Sequence, residues 1–166
     1  MGNTVHDSET KAVGQQVITA CAFIHQKFNG VEKVLLPRRA KTKKFLPGIF
    51  EIPGGHIDFG EDVVEGLKRE IVEETEKEIS VGDPFFVFTY LNEVKGSHSI
   101  EVVFFATFNN YQGDVKLDPD NHSEYRWFSE SDIPEIVKSG KSESDPEILA
   151  IKKGFSLLEG RGLNFG

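Results

Sequence analysis

One stretch of this chain carries residue types whose spacing could do chemistry. It reads Gly55-His56-Ile57-Asp58-Phe59-Gly60-Glu61 and, after seven more residues, Arg69-Glu70-Ile71-Val72-Glu73-Glu74. A glycine-rich turn leads straight into a segment of helical periodicity that carries clustered carboxylates. At 100° per residue, Val63, Val64, Leu67 and Ile71 share one face, and Glu70, Glu73 and Glu74 occupy the adjoining sector. Gly66 lies in that acidic sector one turn earlier, where a missing side chain leaves room for something to approach. Glu70 and Glu74 are like charges four residues apart, a destabilisation of about 0.2–0.5 kcal/mol on an exposed helix. In a cleft the cost is greater, because desolvation opposes ionisation. A hard divalent cation such as Mg²⁺, bound through carboxylate oxygens, removes the conflict, and such an ion is usually held to work on a phosphate ester. The alternative is a solvated acidic face, with Glu73 paired to Lys77 and Glu61 to Arg69 or Lys68. The Gly-Gly turn, Gly66 and an Arg69 placed to brace a carboxylate weigh against it.

The elements that must position this segment follow from pattern and punctuation. Val17 to Ile24 suits a buried strand, and Asn29-Gly30 signals a tight hairpin to a partner strand over 33–37. A basic loop follows, with Arg38, Arg39, Lys41, Lys43 and Lys44, and then a short strand over 49–52. Pro53-Gly54-Gly55 is expected to be irregular. A helix is predicted from about Glu61 to Ile79, and strands over 85–93 and 99–108 joined by a turn at Lys95-Gly96-Ser97. A loop at 118–121, a short strand over 124–128 and a short helix over 133–138 come next. Asp145 and Pro146 then open a last helix to about Glu159. Strands outnumber helices, hairpins mix with helices able to cover a sheet, and no repeat appears. The expectation is an α/β sandwich with a mixed sheet and no Rossmann-type alternation.

At 166 residues the chain is most simply one domain. It divides into a flexible tail at 1–15, a folded unit at 16–160 and a tail at 161–166. Its composition, 38% hydrophobic and 28% charged, is that of a globular protein. No apolar run approaches the ~18 residues of a membrane span, and the N-terminus lacks a signal-peptide pattern. Cys21 is the lone cysteine; set in an apolar run, it reads as a buried thiol in a reducing, cytoplasmic setting rather than as a nucleophile. The formal net charge of −8 argues against a wide nucleic-acid surface. It leaves a small phosphorylated substrate open, since a local basic patch or a bound metal can reverse the sign inside a cleft.

With these residues in place the chain resembles the Nudix hydrolase family. The family box is Gly, five residues, Glu, seven residues, Arg-Glu, an aliphatic, any residue, Glu-Glu, any residue, Gly, an aliphatic. Gly55, Glu61, Arg69, Glu70, Ile71, Glu73 and Glu74 match it in register. The wider resemblance runs from Gln16 to Glu159 and takes in Phe50-Glu51-Ile52-Pro53-Gly54-Gly55 and Tyr125-Arg126-Trp127-Phe128. Glu76 and Lys77 stand where the box has its closing Gly and aliphatic. That departure puts the helix exit in question, and Ile79 is a candidate to supply the missing apolar contact.

The resemblance implies a Nudix-type α/β/α sandwich and a Mg²⁺- or Mn²⁺-dependent pyrophosphohydrolase. Glu73 and Glu74 would be metal ligands, Glu70 a further ligand or the base that positions water, and Gly54 a ligand through its carbonyl. Arg69 would hold the glutamates, and Glu61 would serve a structural or second-metal role. Glu124 is a candidate for a further metal-binding acid from a later loop, or an exposed loop acid. Arg38 and Arg39 either reach substrate phosphates or remain solvated. His56, His98 and His122 lack metal-like spacing and read as surface or core residues. The leading activity is a MutT-like hydrolysis of a nucleoside triphosphate, oxidised nucleotides included, to monophosphate and pyrophosphate. An ADP-ribose or nucleotide-sugar pyrophosphatase is the alternative, and a non-catalytic nucleotide-binding regulator stands behind both. The purine-reading position falls near Ser144-Asp145, where no Asn is found. The expected partner is a small nucleotide, with no nucleic-acid polymer and no membrane, on a monomer or homodimer.

Overall fold

The apolar run after Gln16 becomes the central strand. A computed structural model describes residues 8–161, and β1 (Gln16–Phe28) is buried from Ala20 to Ile24. Successive strand side chains face opposite ways. Ala20, Ala22 and Ile24 therefore pack with Leu67 and Ile71, whereas Cys21 and Phe23 pack with Ile148, Ile151 and Phe155. These clusters are the two faces of one sheet. Helix α1 (Val63–Thr75) covers the first; α2 (Ile133–Lys138) and α3 (Pro146–Leu158) cover the second.

β2 (Val31–Arg39) returns antiparallel through Asn29 and Gly30, whose φ values of 50° and 80° are what a two-residue hairpin demands. β3 (Gly54–His56) pairs antiparallel with β1. β4 (Ile79–Asn92) and β5 (Ser97–Phe108) form a long hairpin, β5 runs parallel to β1, and β6 (His122–Ser129) pairs with β2. The order β4-β5-β1-β2-β6, with β3 beside β1, makes the sheet mixed. This is the α/β Nudix fold expected from the sequence.

Several boundaries differ from expectation for local reasons. Residues 49–52 make a single bridge, Arg38 to Phe50, rather than a strand. The pairing falls on Gly54–His56 instead, because glycine alone fits there: a Cβ on Gly54 would lie 2.6 Å from the Cα of Cys21. Helix α1 begins after Asp62, whose carboxylate accepts the N–H groups of Val64 and Glu65, and it stops at Thr75 rather than near Ile79. Thr75 Oγ1 donates to the carbonyl of Ile71 at 2.6 Å and accepts the N–H of Lys77 at 3.2 Å. Glu76 then turns left-handed (φ 55°, ψ 26°) where the box has glycine. Ile79 is buried with Leu67 and Ile71, so it supplies the apolar contact, and Lys77 pairs with Asp114. β4 starts earlier than expected and tolerates Pro84 because it is an edge strand, with register shifts on either side.

Residues 8–15, read as part of a loose tail, are tied down. Ala12 and Gly14 donate to the carbonyls of Lys95 and Gly96, and Lys11 Nζ donates to the carbonyl of Val94. Asn92 Nδ2 donates to the Ser8 carbonyl, and the Lys44 N–H to the Glu9 carboxylate. The rest of that expected tail, 1–7, and residues 162–166 lie outside the described residues. Among the described residues no helix is long and apolar enough to cross a membrane.

Candidate active site

The acidic edge of α1 is organised by one guanidinium. Arg69 grips Glu61 with two bonds, Nε to Oε1 at 2.8 Å and Nη2 to Oε2 at 3.1 Å. Its Nη1 reaches Glu70 at 3.0 Å and Glu73 at 3.3 Å, and Nη2 also donates to the carbonyl of His56 at 3.1 Å. The hydrogen bonds to Glu61, then those to Glu70, raise the guanidinium pKa above its ordinary value. Glu61 also accepts the N–H of Asp58, which ties the loop to the helix. The space at Gly66 is filled from within, since a Cβ there would meet Ile57 at 2.7 Å and Glu61 at 2.8 Å. Glu70 is buried, at 5% exposure, against Gly55, and Glu73 stands outside at the rim.

Gly54, Gly55, Glu70, Glu73 and Glu74 all line one cavity of about 590 Å³. Part of its lining is aromatic: Phe45 stacks on Tyr90 with ring centres 6.0 Å apart and planes 16° apart, and Phe88 lies 6.1 Å from Tyr90. The cavity also carries acids from separate elements, Glu51, Glu101 and Glu147, together with Arg39, Lys141 and His122. Glu51, Glu101, Glu147 and Lys141 are not among the site residues the sequence singles out. The available signals were faint: Glu101 is a charge set between Ile100 and Val102 in an apolar strand, and Glu147 sits in the capped first turn of α3.

Burial and mutual repulsion shift these groups. Desolvation, then the charges of Glu51 and Glu70, push Glu74 well above the carboxylate range, although the Gly54 N–H bonds to it. Burial and the neighbouring Glu147 push Glu101 up to about 7. Burial raises Glu147 too, even with Lys141 Nζ 2.7 Å away. Glu51 moves the other way: burial works against its charge, but the bond to His122 at 2.9 Å and the charge of Arg39 outweigh it.

Among the described residues no three His, Cys, Asp or Glu side chains already stand in an arrangement that could hold a metal ion. The chemistry nonetheless suits a divalent cation. Glu74 Oε2 is buried with no hydrogen-bond partner, and it belongs to an acid that burial and the neighbouring carboxylates disfavour as an anion. A cation with hard oxygen ligands answers both defects.

The two expected phosphate ligands part company. Arg38 and Arg39 are neighbours on β2, so their side chains leave opposite faces. Arg39 lines the cavity, where it donates to the Phe45 carbonyl at 2.9 Å and to Ser8 Oγ at 2.9 Å, and its guanidinium lies 5.8 Å from the Phe45 ring. Arg38 points away, bonded to the Gly48 carbonyl and 3.3 Å from Glu124. Neither Arg38 nor Glu124 reaches the cavity of the box carboxylates. His56 and His122 line it, His122 being buried against Glu51. Asp145 also lines it while capping α3.

The chain is similar to several known proteins. The chain is similar to the m7GpppN-mRNA hydrolase NUDT17 of Xenopus laevis, 40% identical over 62 residues, which is 37% of this chain and 20% of that protein. It spans about a fifth of the length of the vertebrate relatives it matches. Among solved structures, a C. elegans Ap4A hydrolase binary complex superposes with a TM-score of 0.70 at 24% identity, over 87% of this chain and 98% of that one. The MutT protein from Methanosarcina mazei Go1 gives 0.66 at 25% identity, over 90% and 100%. The NUDIX domain family model matches residues 16–150. Because that match runs from the first residue of β1 into α3 and takes in the whole sheet, the chain belongs to the Nudix hydrolase family.

Proposed function

We propose that this Nudix hydrolase acts on a small nucleoside triphosphate, oxidised nucleotides included, and releases a monophosphate and pyrophosphate. One observation carries the reading: a single cavity joins the acidic edge of α1 to the stacked Phe45 and Tyr90. A base lying against the aromatic wall would direct its phosphates toward Glu70, Glu73 and Glu74. The cavity, about 590 Å³, falls in the size range of small-molecule sites.

Glu70, Glu73, Glu74 and the Gly54 carbonyl would hold Mg²⁺ or Mn²⁺. When bound, the ion supplies charge neutralisation at the phosphates and makes a water molecule more acidic. Arg69 keeps Glu70 and Glu73 at one edge of the helix. Glu70, buried beside Gly55, either takes the proton of the attacking water or completes the cation's ligands. Arg39 fixes Phe45 and offers positive charge at the cavity wall.

A second reading is an ADP-ribose or nucleotide-sugar pyrophosphatase. The row of carboxylates Glu51, Glu101 and Glu147 favours it, since such groups accept from sugar hydroxyls. A non-catalytic nucleotide-binding regulator has less support, because Glu70, Glu73 and Glu74 are all present. A polymeric nucleic acid is not the proposed partner, given the net charge of −8, although the Xenopus relative is an mRNA hydrolase by name. The buried free thiol of Cys21 supports a reducing, cytoplasmic setting.

Incubation with Mg²⁺ and a pooled panel of nucleoside triphosphates, nucleotide sugars and a capped dinucleotide, with products identified by mass spectrometry, tests the reading. Monophosphate with pyrophosphate is expected. A sugar phosphate would favour the second reading, and no turnover of any member would overturn both.

A further inference from the structure

Lys141 is among the least exposed charges of the described residues, its side chain 3% accessible, and it sits beside a carboxylate of α3. Its Nζ lies 2.7 Å from Glu147 Oε2 and 3.9 Å from Asp145 Oδ1. The other carboxylate oxygen, Glu147 Oε1, accepts the N–H of Ile52. Ile52 stands two residues before Gly54, across Pro53, whose ring fixes φ. The same short segment is held elsewhere by its neighbours: the Pro53 carbonyl accepts the Ala22 N–H at 2.8 Å, and Glu51 is bonded to His122 and Arg39. At Ile52 the first turn of α3 takes hold of this backbone, as Ser139 at the end of α2 does at Phe50.

Stability alone gives no reason for such a pair. Removing an ammonium and a carboxylate from water offsets most of their attraction, and an apolar pair of similar size is often as stable. The geometry points to a different use. We propose that Glu147, fixed by Lys141, is a positioning residue: it sets the Ile52–Gly54 backbone so that the Gly54 carbonyl and the Glu74 beside it are presented to the divalent cation. Two oxygens of one carboxylate divide the task. Oε2 is anchored by the ammonium, and Oε1 holds the backbone N–H in register. The chain therefore uses the start of its last helix to tune a metal site built on its first.

This inference rests on the proposed metal-dependent reaction, and its test separates the two. Mn²⁺ binding to the full chain is measured without nucleotide by water-proton relaxation, beside kcat and KM with Mg²⁺ on the best nucleotide of the panel. Outer-shell partners of a metal site typically contribute ~10–100-fold to affinity or activity. Glu147→Ala is expected to weaken Mn²⁺ binding and lower kcat by factors in that range, with KM moving less than kcat. Glu147→Gln keeps an acceptor for Ile52 but turns an amide N–H₂ toward the ammonium, so alone it is expected to be impaired. Adding Lys141→Met removes that clash, and the double variant should recover most of the loss.

Wild-type Mn²⁺ affinity and kcat in a folded Glu147→Ala would overturn the positioning role and leave the metal-dependent reaction standing. If Glu147→Ala does not fold, the other two variants decide: recovery in the double variant supports the role, and no recovery overturns it. A wild-type protein that binds no Mn²⁺ would overturn the reading beneath and this inference with it.

Discussion

The carboxylate of Glu70 lies so close over Gly55 that a Cβ there would sit 2.9 Å from Oε1 and overlap the rest of the group. The glycine is thus the floor on which this buried acid rests. Gly55→Ala must push Glu70 aside or lift β3 from β1. A displacement of about 1 Å at a reacting group can cost ~100-fold in rate. We expect kcat to fall by about that factor while circular dichroism stays native. Wild-type kcat in a folded Gly55→Ala would contradict this placement of Glu70.

Glu76 closes α1 with φ 55° although it carries a Cβ. A left-handed backbone costs such a residue roughly 1–2 kcal/mol, and the greater unfolded-state freedom of glycine returns about 0.5–1 of that. Its contact with Lys116, 3.4 Å away between exposed groups, is worth little. Glu76→Gly is therefore expected to stabilise the fold by up to about 1 kcal/mol and raise Tm by roughly 2–4 °C, with kcat unchanged. Thermal melts of the two proteins check the sign.

Glu101 titrates near 7 in the folded protein, above the ordinary carboxylate value of 4.5, through burial and then Glu147. Between those pH values the folded state holds the proton and the unfolded chain has released it. Stability from this group is therefore complete below the lower value and is lost as pH rises through the upper one. Glu101→Gln cannot titrate. The Tm of the variant relative to wild type should rise from pH 4.5 to pH 7 and then level off. A difference that stays flat across that window would show that Glu101 is an ordinary surface-like acid.

What could be read from the chain was local. The box is contiguous, so its helix face, the bracing Arg69 and the neighbouring glycines follow from spacing alone. The mixed sheet followed from strand patterns and the Asn29-Gly30 turn. The helix end was missed because the signal for it, Thr75 bonding back to Ile71 and Glu76 accepting a left-handed backbone, uses residues that ordinarily sit within helices or on their surface. The cavity was hidden for a different reason. Glu51, Glu101, Lys141 and Glu147 meet only after four separate stretches are packed together, and no spacing along the chain foretells that. Arg38 and Arg39 looked equivalent in sequence, yet only the register of β2 decides which one faces inward.

The central claim is that the acids along α1 hold a cation that makes a phosphoanhydride cleavable by water. The most direct measurement is turnover of the best panel nucleotide by wild type and Glu73→Gln, each with Mg²⁺ and again with excess EDTA. The account predicts wild-type turnover that EDTA abolishes and added Mg²⁺ restores, and loss of nearly all turnover in Glu73→Gln with the fold intact. Turnover that survives both the chelator and the substitution would contradict it.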